Sequence, residues 1–460
     1  MTSIVWFRRD LRLSDNPALL QGLGQLDGHG PGQDALALYI LDPRLWAPAS
    51  PTRRAYLLDS LQALKQDLDG RLEVRWGKPL EVLSRLAREL ESPTVHIAAD
   101  YGPYGRRRDA ETSQALANLG TELIATGSPY AVAPGRVRKA DGERYRVFTP
   151  FRSAWLDHGW RSPVPAPVNP SWIDPADLTA STHKSPQRPE VKVPQAGETA
   201  ARIRWADFLA EKLATYDTDR DRPDRPGTSH LSTALKWGEI HPRTLLADLT
   251  RAASGQGDGV ASYRSELAWR EFYADVLWHQ PSTAHTSMRE VAAQDLWVTG
   301  DERGAALTAW ATGQTGYPLV DAGMRQLLAT GWMPGRVRMV VASFLVKDLH
   351  VPWQEGARHF MAHLLDGDLA SNSHNWQWVA GTGTDAAPFF RIFNPTTQGK
   401  NFDPLGNYVR QWVPQLQGIS GAAVHEPWKL TPSPANYPAP IVDHGVQRAI
   451  TLDAHARRPR

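Results

Sequence analysis

The spacing of apolar residues changes once along this chain, and that change limits the folds it can adopt. Over the first 130 residues, short β-branched or apolar runs alternate with amphipathic segments. Helix periodicity is found at 52–69 and 80–90, and strand-like runs are found at 3–7, 34–41, 72–76, 95–99 and 121–125. This alternation predicts a parallel sheet with right-handed crossovers, whose ligands bind beyond the carboxyl ends of the strands.

Helical periodicity takes over after residue 201. It recurs at 203–213, 263–278, 304–310, 320–329, 337–349 and 355–365. Between the two regions, 162–198 is rich in Pro, Ser and Thr, which is typical of a connector that wraps a surface. We therefore expect an α/β N-terminal domain with a Rossmann-like parallel sheet at 1–130, a connector at 131–200, and an all-α domain at 201–460.

Composition excludes several kinds of chemistry. The chain has no cysteine, which rules out a disulfide frame, a thiolate nucleophile and a Cys-ligated metal. No apolar run reaches the roughly 18 residues of a membrane span, and the N-terminus is charged where a signal peptide is apolar. We therefore expect a cytoplasmic protein without membrane contact. G-x-G-x-x-G after the first strand, G-x-S-x-G and a P-loop are absent from the sequence, which argues against the enzymes that depend on them.

Charge and aromatic content leave a nucleic-acid partner open. The formal net charge of +2 allows a polyanionic partner without requiring one. The 18 tryptophans could supply stacking surface for bases or could simply fill the core.

The segment GTSHLSTAL, 227–235, places hydroxyl residues at the start of an apolar run. Thr228, Ser229 and Ser232 could cap a helix. They could instead present hydroxyls and backbone N–H groups to a phosphate at a helix N-terminus. The pattern alone does not separate the two.

The segment 265–279 has a carboxylate and aromatic rings at helical spacing. Glu266, Trp269 and Tyr273 fall along one face, and Glu266 is four residues before Arg270. A solvated, salt-bridged helix explains the charges. It does not explain the large ring beside them, which suits a pocket that stacks a base and bonds its polar edge.

The densest stretch is DGDLASNSHNWQW, 366–378, where carboxylates, an amide and indoles are close in sequence. A loop and a helix cap could account for it. Arg338 and Asp366 could form a buried ion pair, which is costly unless fully hydrogen-bonded and therefore indicates a site. His359 and His363 precede Asp366 at the crude spacing of a metal face, but H-E-x-x-H is absent and surface histidines explain them, so we expect no metal.

Long motifs across nearly the whole chain resemble the photolyase/cryptochrome family. These are WFRRDLRLSDNPAL at 6–19, GTSHLS at 227, ELAWREFY at 266, TGYPLVDAGMRQL at 315, DGDLASN at 366 and WQWVAGTGTDAAPFFRIFNPTTQG at 376. Within the family, the chain is similar to class I DNA photolyases, which split cyclobutane pyrimidine dimers by light-driven electron transfer. The resemblance implies FAD in the helical domain, ultraviolet-damaged DNA as partner, and a monomeric cytoplasmic protein that acts at the nucleoid.

The resemblance also implies roles for individual residues. Asn372 matches the residue that faces flavin N5, and Arg338 with Asp366 matches a pair beside the isoalloxazine ring. The residues implied to bind FAD are Tyr216, Thr228, Ser229, His230, Leu231, Ser232, Trp332, Arg338, Asp366, Gly367, Asp368 and Asn372.

For the damaged dinucleotide, the resemblance implies a flipped dimer held by Glu266, Trp269, Met339 and Trp378, with Asn372 completing the catalytic set. Histidines expected of enzymes for the (6-4) photoproduct are missing near Met339. The residues implied to contact DNA are Arg220, Glu266, Trp269, Arg270, Tyr273, Arg336, Arg391 and Lys400.

The resemblance also bears on electron transfer and light harvesting. Trp376, Trp353 and Trp297 match the indoles that reduce oxidised flavin under light. The spacing from Trp297 to Trp310 is longer than in the enterobacterial pattern. The stretch 100–109 lacks the Asn-Glu pair of folate-binding members, which favours a deazaflavin or a second flavin as antenna, or none. Gly335 replaces an Asn found in many members.

Two other functions remain possible on the sequence. A cryptochrome would share the fold and FAD but would signal to protein partners. A DNA-binding protein without catalysis would use tryptophan and arginine only to stack and neutralise. Asn372 and the set of Glu266, Trp269 and Trp378 favour repair.

Overall fold

A computed structural model describes residues 2–26, 33–179, 186–252, 257–289, 294–384 and 391–457. The chain forms two compact units. The first comprises Met1–Tyr145, Thr149–Leu213 and Ser229–Pro281, and the second Arg146–Phe148, Ala214–Thr228 and Ser282–Arg460. The domain boundaries at 130 and 200 stay predictions.

The first unit contains a parallel five-stranded sheet. Its strands are β1 (Ser3–Phe7), β2 (Ala35–Leu41), β3 (Leu72–Trp76), β4 (Thr94–Ile97) and β5 (Glu122–Ala125). The order is β3-β2-β1-β4-β5, and Ser3 pairs with both Ala35 and Thr94 in register. The strand order reverses between β1 and β4, so the predicted α/β architecture is confirmed. β1 and β2 are buried throughout, as expected for central strands covered on both faces.

Helices cover this sheet and extend beyond it. Six of the eleven helices described up to residue 279 begin at a proline. In the first three of them the preceding side chain caps the helix, as in α1, where Asn16 accepts from the Leu19 N–H at 3.2 Å. The helices up to residue 279 are α1 (Pro17–Gly22), α2 (Pro43–Trp46), α3 (Pro51–Asp67), α4 (Pro79–Glu89), α5 (Pro103–Ala117), α6 (Phe148–His158), α7 (Glu198–Glu211), α8 (Tyr216–Asp219), α9 (Ser232–Trp237), α10 (Pro242–Ala252) and α11 (Gly257–His279). Of these, α8 and the first residue of α6 belong to the second unit.

The motif at 6–19 supplies a buried polar network within the first unit. Asp15 accepts from Arg243 Nη2 at 2.5 Å and lies 3.0 Å from His241 Nδ1. Arg12 donates to the carbonyl of Gly238 at 2.9 Å. Gly238 has φ +74°, and a Cβ there would lie 1.9 Å from the carbonyl oxygen of Arg9. This close approach requires glycine and joins the loop after β1 to the end of α9.

The second unit is helical in its described part, in agreement with the predicted all-α domain. Its remaining helices are α12 (Gly300–Ala311), α13 (Pro318–Thr330), α14 (Gly335–Lys347), α15 (Trp353–His363), α16 (Leu369–Ala380), α17 (Pro395–Phe402), α18 (Asn407–Trp412) and α19 (His444–Ala456). α14 lies at the centre and packs on α13, α15, α16 and α17. None of the described helices combines the length and apolar character needed to cross a membrane.

Candidate functional site

Arg338 on α14 and Asp366, in the turn between α15 and α16, form a bidentate ion pair. Nη1 lies 3.2 Å from Oδ1 and Nη2 lies 2.8 Å from Oδ2. The guanidinium is oriented by a third bond, from Nε to the carbonyl of Met333 at 2.8 Å. The Asp366 side chain is 4% exposed and that of Arg338 is 27% exposed. The sequence prediction of this pair is confirmed, and the partly open guanidinium leaves one side of the pair accessible.

The next two predicted residues belong to the start of α16. Asp368 caps the helix, since its Oδ1 accepts from the Ser371 N–H at 3.0 Å. One turn later, the buried Asn372 donates its side-chain amide to the carbonyl of Ala357 on α15 at 2.9 Å. The amide nitrogen is therefore committed to α15. The amide oxygen has no hydrogen-bond partner within the described part of the chain and is the atom Asn372 offers to a ligand.

The predicted electron-transfer tryptophans lie in or on the core of the second unit. Trp376 and Trp353 are buried, and Trp297 is half-buried against the same core. Trp353 donates its indole N–H to Ser287 Oγ at 3.0 Å. Their identity as a relay is not tested by these contacts and stays a prediction.

Sequence reasoning missed an aromatic cluster around Trp376. The fully buried Trp310 meets Trp376 edge-on, with ring centroids 6.0 Å apart, and its indole N–H donates to the carbonyl of Val341 at 2.9 Å. Phe360 lies 5.0 Å from Trp376. The signal in the sequence was weak, since Trp310 ends a short periodic segment that predicts only a core helix.

The paired histidines on α15 belong to this cluster. His359 lies 5.4 Å from the Trp310 ring and 4.3 Å from the His363 ring, and His363 Nδ1 is 3.0 Å from the His359 carbonyl. Burial lowers the pKa of His359 to about 4, which keeps it neutral at physiological pH. Over the described ranges, no group of three His, Cys, Asp or Glu side chains has the geometry to hold a metal ion.

In the first unit, α11 carries Glu266 and Trp269, two of the predicted substrate residues. The Trp269 ring lies 5.3 Å from that of Tyr273, so the two predicted aromatic contacts adjoin. Arg270 donates to the carbonyls of Pro129 at 3.0 Å and Leu235 at 3.3 Å and lies over the Tyr130 ring. The guanidinium is thus occupied by the protein itself, and its predicted contact with DNA stays a prediction.

Two acidic residues of α11 that the sequence interpretation overlooked anchor the segment after β5. Glu271 accepts from the Val132 N–H at 3.0 Å and from Trp155 Nε1 at 2.6 Å, and Asp275 accepts from the Gly135 N–H at 2.6 Å. Burial raises the pKa of Glu271 to about 7. Two acids four residues apart on the apolar side of a helix were the signal that could have revealed them.

The hydroxyl segment before α9 does not cap that helix. The residue preceding α9 is Leu231, and no side chain caps the helix. Ser229 Oγ lies 2.8 Å from the Tyr263 hydroxyl, and His230 has φ +52°. The capping alternative is therefore not supported, while the predicted contact of Ser229, His230, Leu231 and Ser232 with a phosphate stays a prediction.

Other predicted basic contacts in the second unit sit beside acidic or aromatic groups. Arg336 pairs with Asp221 at 2.6 Å, and Lys400 pairs with Glu426 at 2.5 Å. Arg220 lies 5.6 Å from the centre of the Tyr216 ring, and Arg391 is exposed. Exposed ion pairs of this kind are worth little and can exchange partners, so they do not prevent contact with phosphate.

Comparison with known proteins covers both parts of the chain. Residues 3–170 match the family model described as DNA photolyase, and residues 263–457 match the FAD binding domain of DNA photolyase. The chain is 39% identical to the deoxyribodipyrimidine photo-lyase of Escherichia coli K12, over 99% of this chain and 98% of that protein.

Solved structures agree with these matches. The chain is similar to a class III photolyase from Agrobacterium tumefaciens, with a TM-score of 0.88 and 35% identity over 99% of this chain and 97% of that one. It is also similar to a cryptochrome from Synechocystis, with a TM-score of 0.89 and 28% identity over 98% of this chain and 99% of that one. The three-dimensional similarity to a photolyase and to a cryptochrome is therefore nearly equal, while the sequence identity is 35% to the Agrobacterium photolyase and 28% to the Synechocystis cryptochrome.

Proposed function

Because the chain belongs to the DNA photolyase family, we propose that it is a light-driven enzyme that uses FAD to split cyclobutane pyrimidine dimers in DNA. The observation that carries the proposal is the orientation of Asn372. Its nitrogen is bonded to the Ala357 carbonyl, and its oxygen is the acceptor presented from the buried start of α16. A neutral amide oxygen accepts a hydrogen bond from a ring N–H without placing a negative charge beside it.

The residues of the second unit fit a flavin in three respects. Asn372 offers an acceptor suited to the protonated N5 of reduced flavin. Arg338 and Asp366 offer a donor and an acceptor fixed by mutual pairing, and both lie in the segment that matches the FAD binding domain. Bound FAD would supply light absorption and an electron that is lent to the dimer and returned. The protein residues hold and orient it.

The substrate residues have separate roles. Glu266, as a carboxylic group on α11, would hydrogen-bond the base carbonyls, and Trp269 would stack on the flipped bases, in an orientation supported by the adjoining Tyr273. Met339 and Trp378 are both partly buried at the edge of the second unit's core. They would supply further apolar contact to the dimer, since flat or polarizable side chains favour such surfaces.

The neighbouring basic side chains would bind phosphates. Arg336 and Lys400 would exchange Asp221 and Glu426 for the DNA backbone, which makes affinity fall as salt rises. Trp376, Trp353 and Trp297 would pass electrons inward to reduce oxidised flavin. A deazaflavin or second flavin is the proposed antenna, and the enzyme is proposed to act as a monomer on nucleoid DNA in the cytoplasm.

A cryptochrome-type signalling role is the second candidate, supported by the similarity to the Synechocystis protein. One experiment separates the two. Chemically reduced holoenzyme is illuminated with ultraviolet-damaged oligothymidylate, and the absorbance of restored thymines is followed. Recovery that depends on light supports repair. A flavin-containing protein that binds no damaged DNA and restores no thymines contradicts the proposal.

A further inference from the structure

The segment that carries Trp297 is held in place by two neighbours within the second unit. A short 3-10 turn, Gln294–Leu296, precedes it, and α12 follows. The Val298 N–H donates to the carbonyl of His350 at 3.1 Å. Leu296 packs with Ala454 of α19 in a small buried cluster, and Trp297 lies against that cluster. The indole is therefore positioned by the loop after α14 and by the C-terminal helix.

α19 is itself attached to the end of α14 by a buried hydrogen bond between a histidine and an aspartate. His444 Nδ1 lies 2.5 Å from Asp348 Oδ1, and the side chains are 12% and 0% exposed. Burial raises the pKa of Asp348, and His444 opposes that rise. The other oxygen of Asp348 is buried without a hydrogen-bond partner among the described residues. His444 is thus the hydrogen-bond partner of this carboxylate, with Lys347 as a further nearby charge. Loss of His444 would leave both oxygens of the buried Asp348 side chain without a hydrogen-bond donor among the described residues.

A second attachment connects α19 directly to His350. The Thr451 hydroxyl donates to the Lys347 carbonyl at 2.7 Å. A hydroxyl has one proton, so the 2.9 Å contact between Thr451 Oγ1 and His350 Nε2 must be donated by His350. His350 therefore binds α19 through its ring and the Trp297 segment through its carbonyl. One residue transmits the position of the helix to the indole.

We propose that α19 is a positioning element for Trp297, fixed by the His444–Asp348 and Thr451–His350 hydrogen bonds. The inference rests on the proposed function, in which Trp297 is the outermost relay residue. In that role Trp297 would give up one electron per photon, which would pass by way of Trp353 and Trp376 toward an oxidised flavin. The oxidised Trp297 indole would release its N–H proton to solvent and would later take back one electron and one proton from an external thiol. Electron transfer depends steeply on geometry, so a displaced indole slows the relay.

The first test needs no flavin. Amide hydrogen exchange is measured at Val298 in the flavin-free full chain of the parent protein, His444→Ala and His444→Asn. Loss of the His444–Asp348 hydrogen bond should loosen α19 and speed Val298 exchange several-fold in His444→Ala. Asn restores an amide N–H near the position of Nδ1 and should recover most of the protection. Arg457→Ala, which removes the exposed pairs of Arg457 with Asp295 and Asp453, is the matched control and should change little.

Unchanged Val298 exchange in a folded His444→Ala protein overturns the inference. If the His444→Ala protein does not fold, the same measurement is made on Thr451→Val. This variant removes only the hydroxyl that contacts the Lys347 carbonyl and His350 Nε2. It should speed Val298 exchange in the same direction, and protection equal to that of the parent would again contradict the proposal.

The second test is a double-mutant cycle on photoreduction of oxidised holoenzyme. Trp297→Phe and His444→Ala should each slow photoreduction several-fold, and their effects should not multiply, because both act on one indole. Repair by chemically reduced His444→Ala enzyme should be unaffected. Full multiplication of the two effects would show that α19 acts elsewhere. If Trp297→Phe has no effect while His444→Ala still speeds Val298 exchange, the relay assignment fails and the positioning contact survives.

Discussion

Trp376 packs so closely on Gly356 that a Cβ at position 356 would lie 2.1 Å from Cη2 of the indole. Because Gly356 has no side chain, α15 and α16 can pack closely at Trp376, the innermost residue of the proposed relay. A steric relationship of this kind connects a backbone position to the placement of a redox-active ring. It can be tested without altering the ring itself.

Gly356→Ala should displace Trp376, because no side chain fits the space that the indole occupies. We expect a loss of about 1–3 kcal/mol in the free energy of unfolding from overpacking, and slower photoreduction of oxidised flavin. Repair by chemically reduced enzyme should be largely spared. Denaturant melts and absorbance under blue light provide the two measurements. Gly304→Ala is the control, since this helical glycine has open space at its Cβ and should gain roughly 0.5–1 kcal/mol. A Gly356→Ala protein with the parent's photoreduction rate would contradict the packing argument.

Asn372→Asp should destabilise the reduced form of the flavin. An ionised carboxylate cannot donate to the Ala357 carbonyl, so two acceptors would face each other at a buried position, at a cost of about 1–3 kcal/mol. Its negative charge would also disfavour an anionic reduced ring. We expect a lower melting temperature of the protein and faster reoxidation of the reduced flavin in air. The reoxidation rate is measured from the flavin absorbance. Asn375→Asp, on the exposed side of the same helix, makes the same chemical change and should leave both nearly unaltered. Equal behaviour of the two variants would refute the assigned orientation.

Glu271 should give the protein a pH-dependent stability. Its folded-state pKa of about 7 lies above the ordinary value of 4.5 because of burial. Its contribution to the free energy of unfolding is therefore fully present below about pH 4.5 and is lost as the pH rises through about 7. Glu271→Gln should remove up to about 3 kcal/mol of this pH dependence, since one pKa unit corresponds to about 1.4 kcal/mol. It should also cause a constant loss, because an amide cannot accept from all the N–H groups around it.

Urea unfolding of Glu271→Gln and its parent at about pH 5 and about pH 8 measures the effect. The variant should have the lower free energy of unfolding at the lower pH. The difference in free energy of unfolding between the parent and the variant should narrow or change sign at the higher pH. Glu81→Gln, at an exposed residue of α4, is the control. Parallel pH profiles for Glu271→Gln and the parent would show that Glu271 is ionised in both states.

Glu266→Ala should lower repair while FAD stays bound. Loss of the hydrogen bond to the base carbonyls is expected to reduce the efficiency of dimer splitting by about tenfold, which corresponds to about 1.4 kcal/mol. Repair yield is measured on damaged oligothymidylate, and flavin content is read from the visible absorbance. Asp258→Ala, at the exposed start of the same helix, should repair normally. Loss of the flavin in Glu266→Ala would instead assign Glu266 to cofactor binding.

The sequence by itself determined the sheet strands and the change to helical structure, and it suggested the pair of Arg338 with Asp366 that the structure shows. Hydrophobic periodicity is a local property, so the sequence records it directly. The resemblance of long motifs likewise pointed to the family that the comparisons confirm. The roles predicted for individual site residues are still to be tested.

Only the tertiary structure decided which groups these residues contact. The Asn372 side-chain nitrogen donates to the Ala357 carbonyl, and the Arg270 guanidinium donates to the carbonyls of Pro129 and Leu235. The Trp310 ring lies edge-on to Trp376. These contacts join positions 15 to 141 residues apart. Their geometry depends on how whole helices pack, which the pattern of any one segment does not encode.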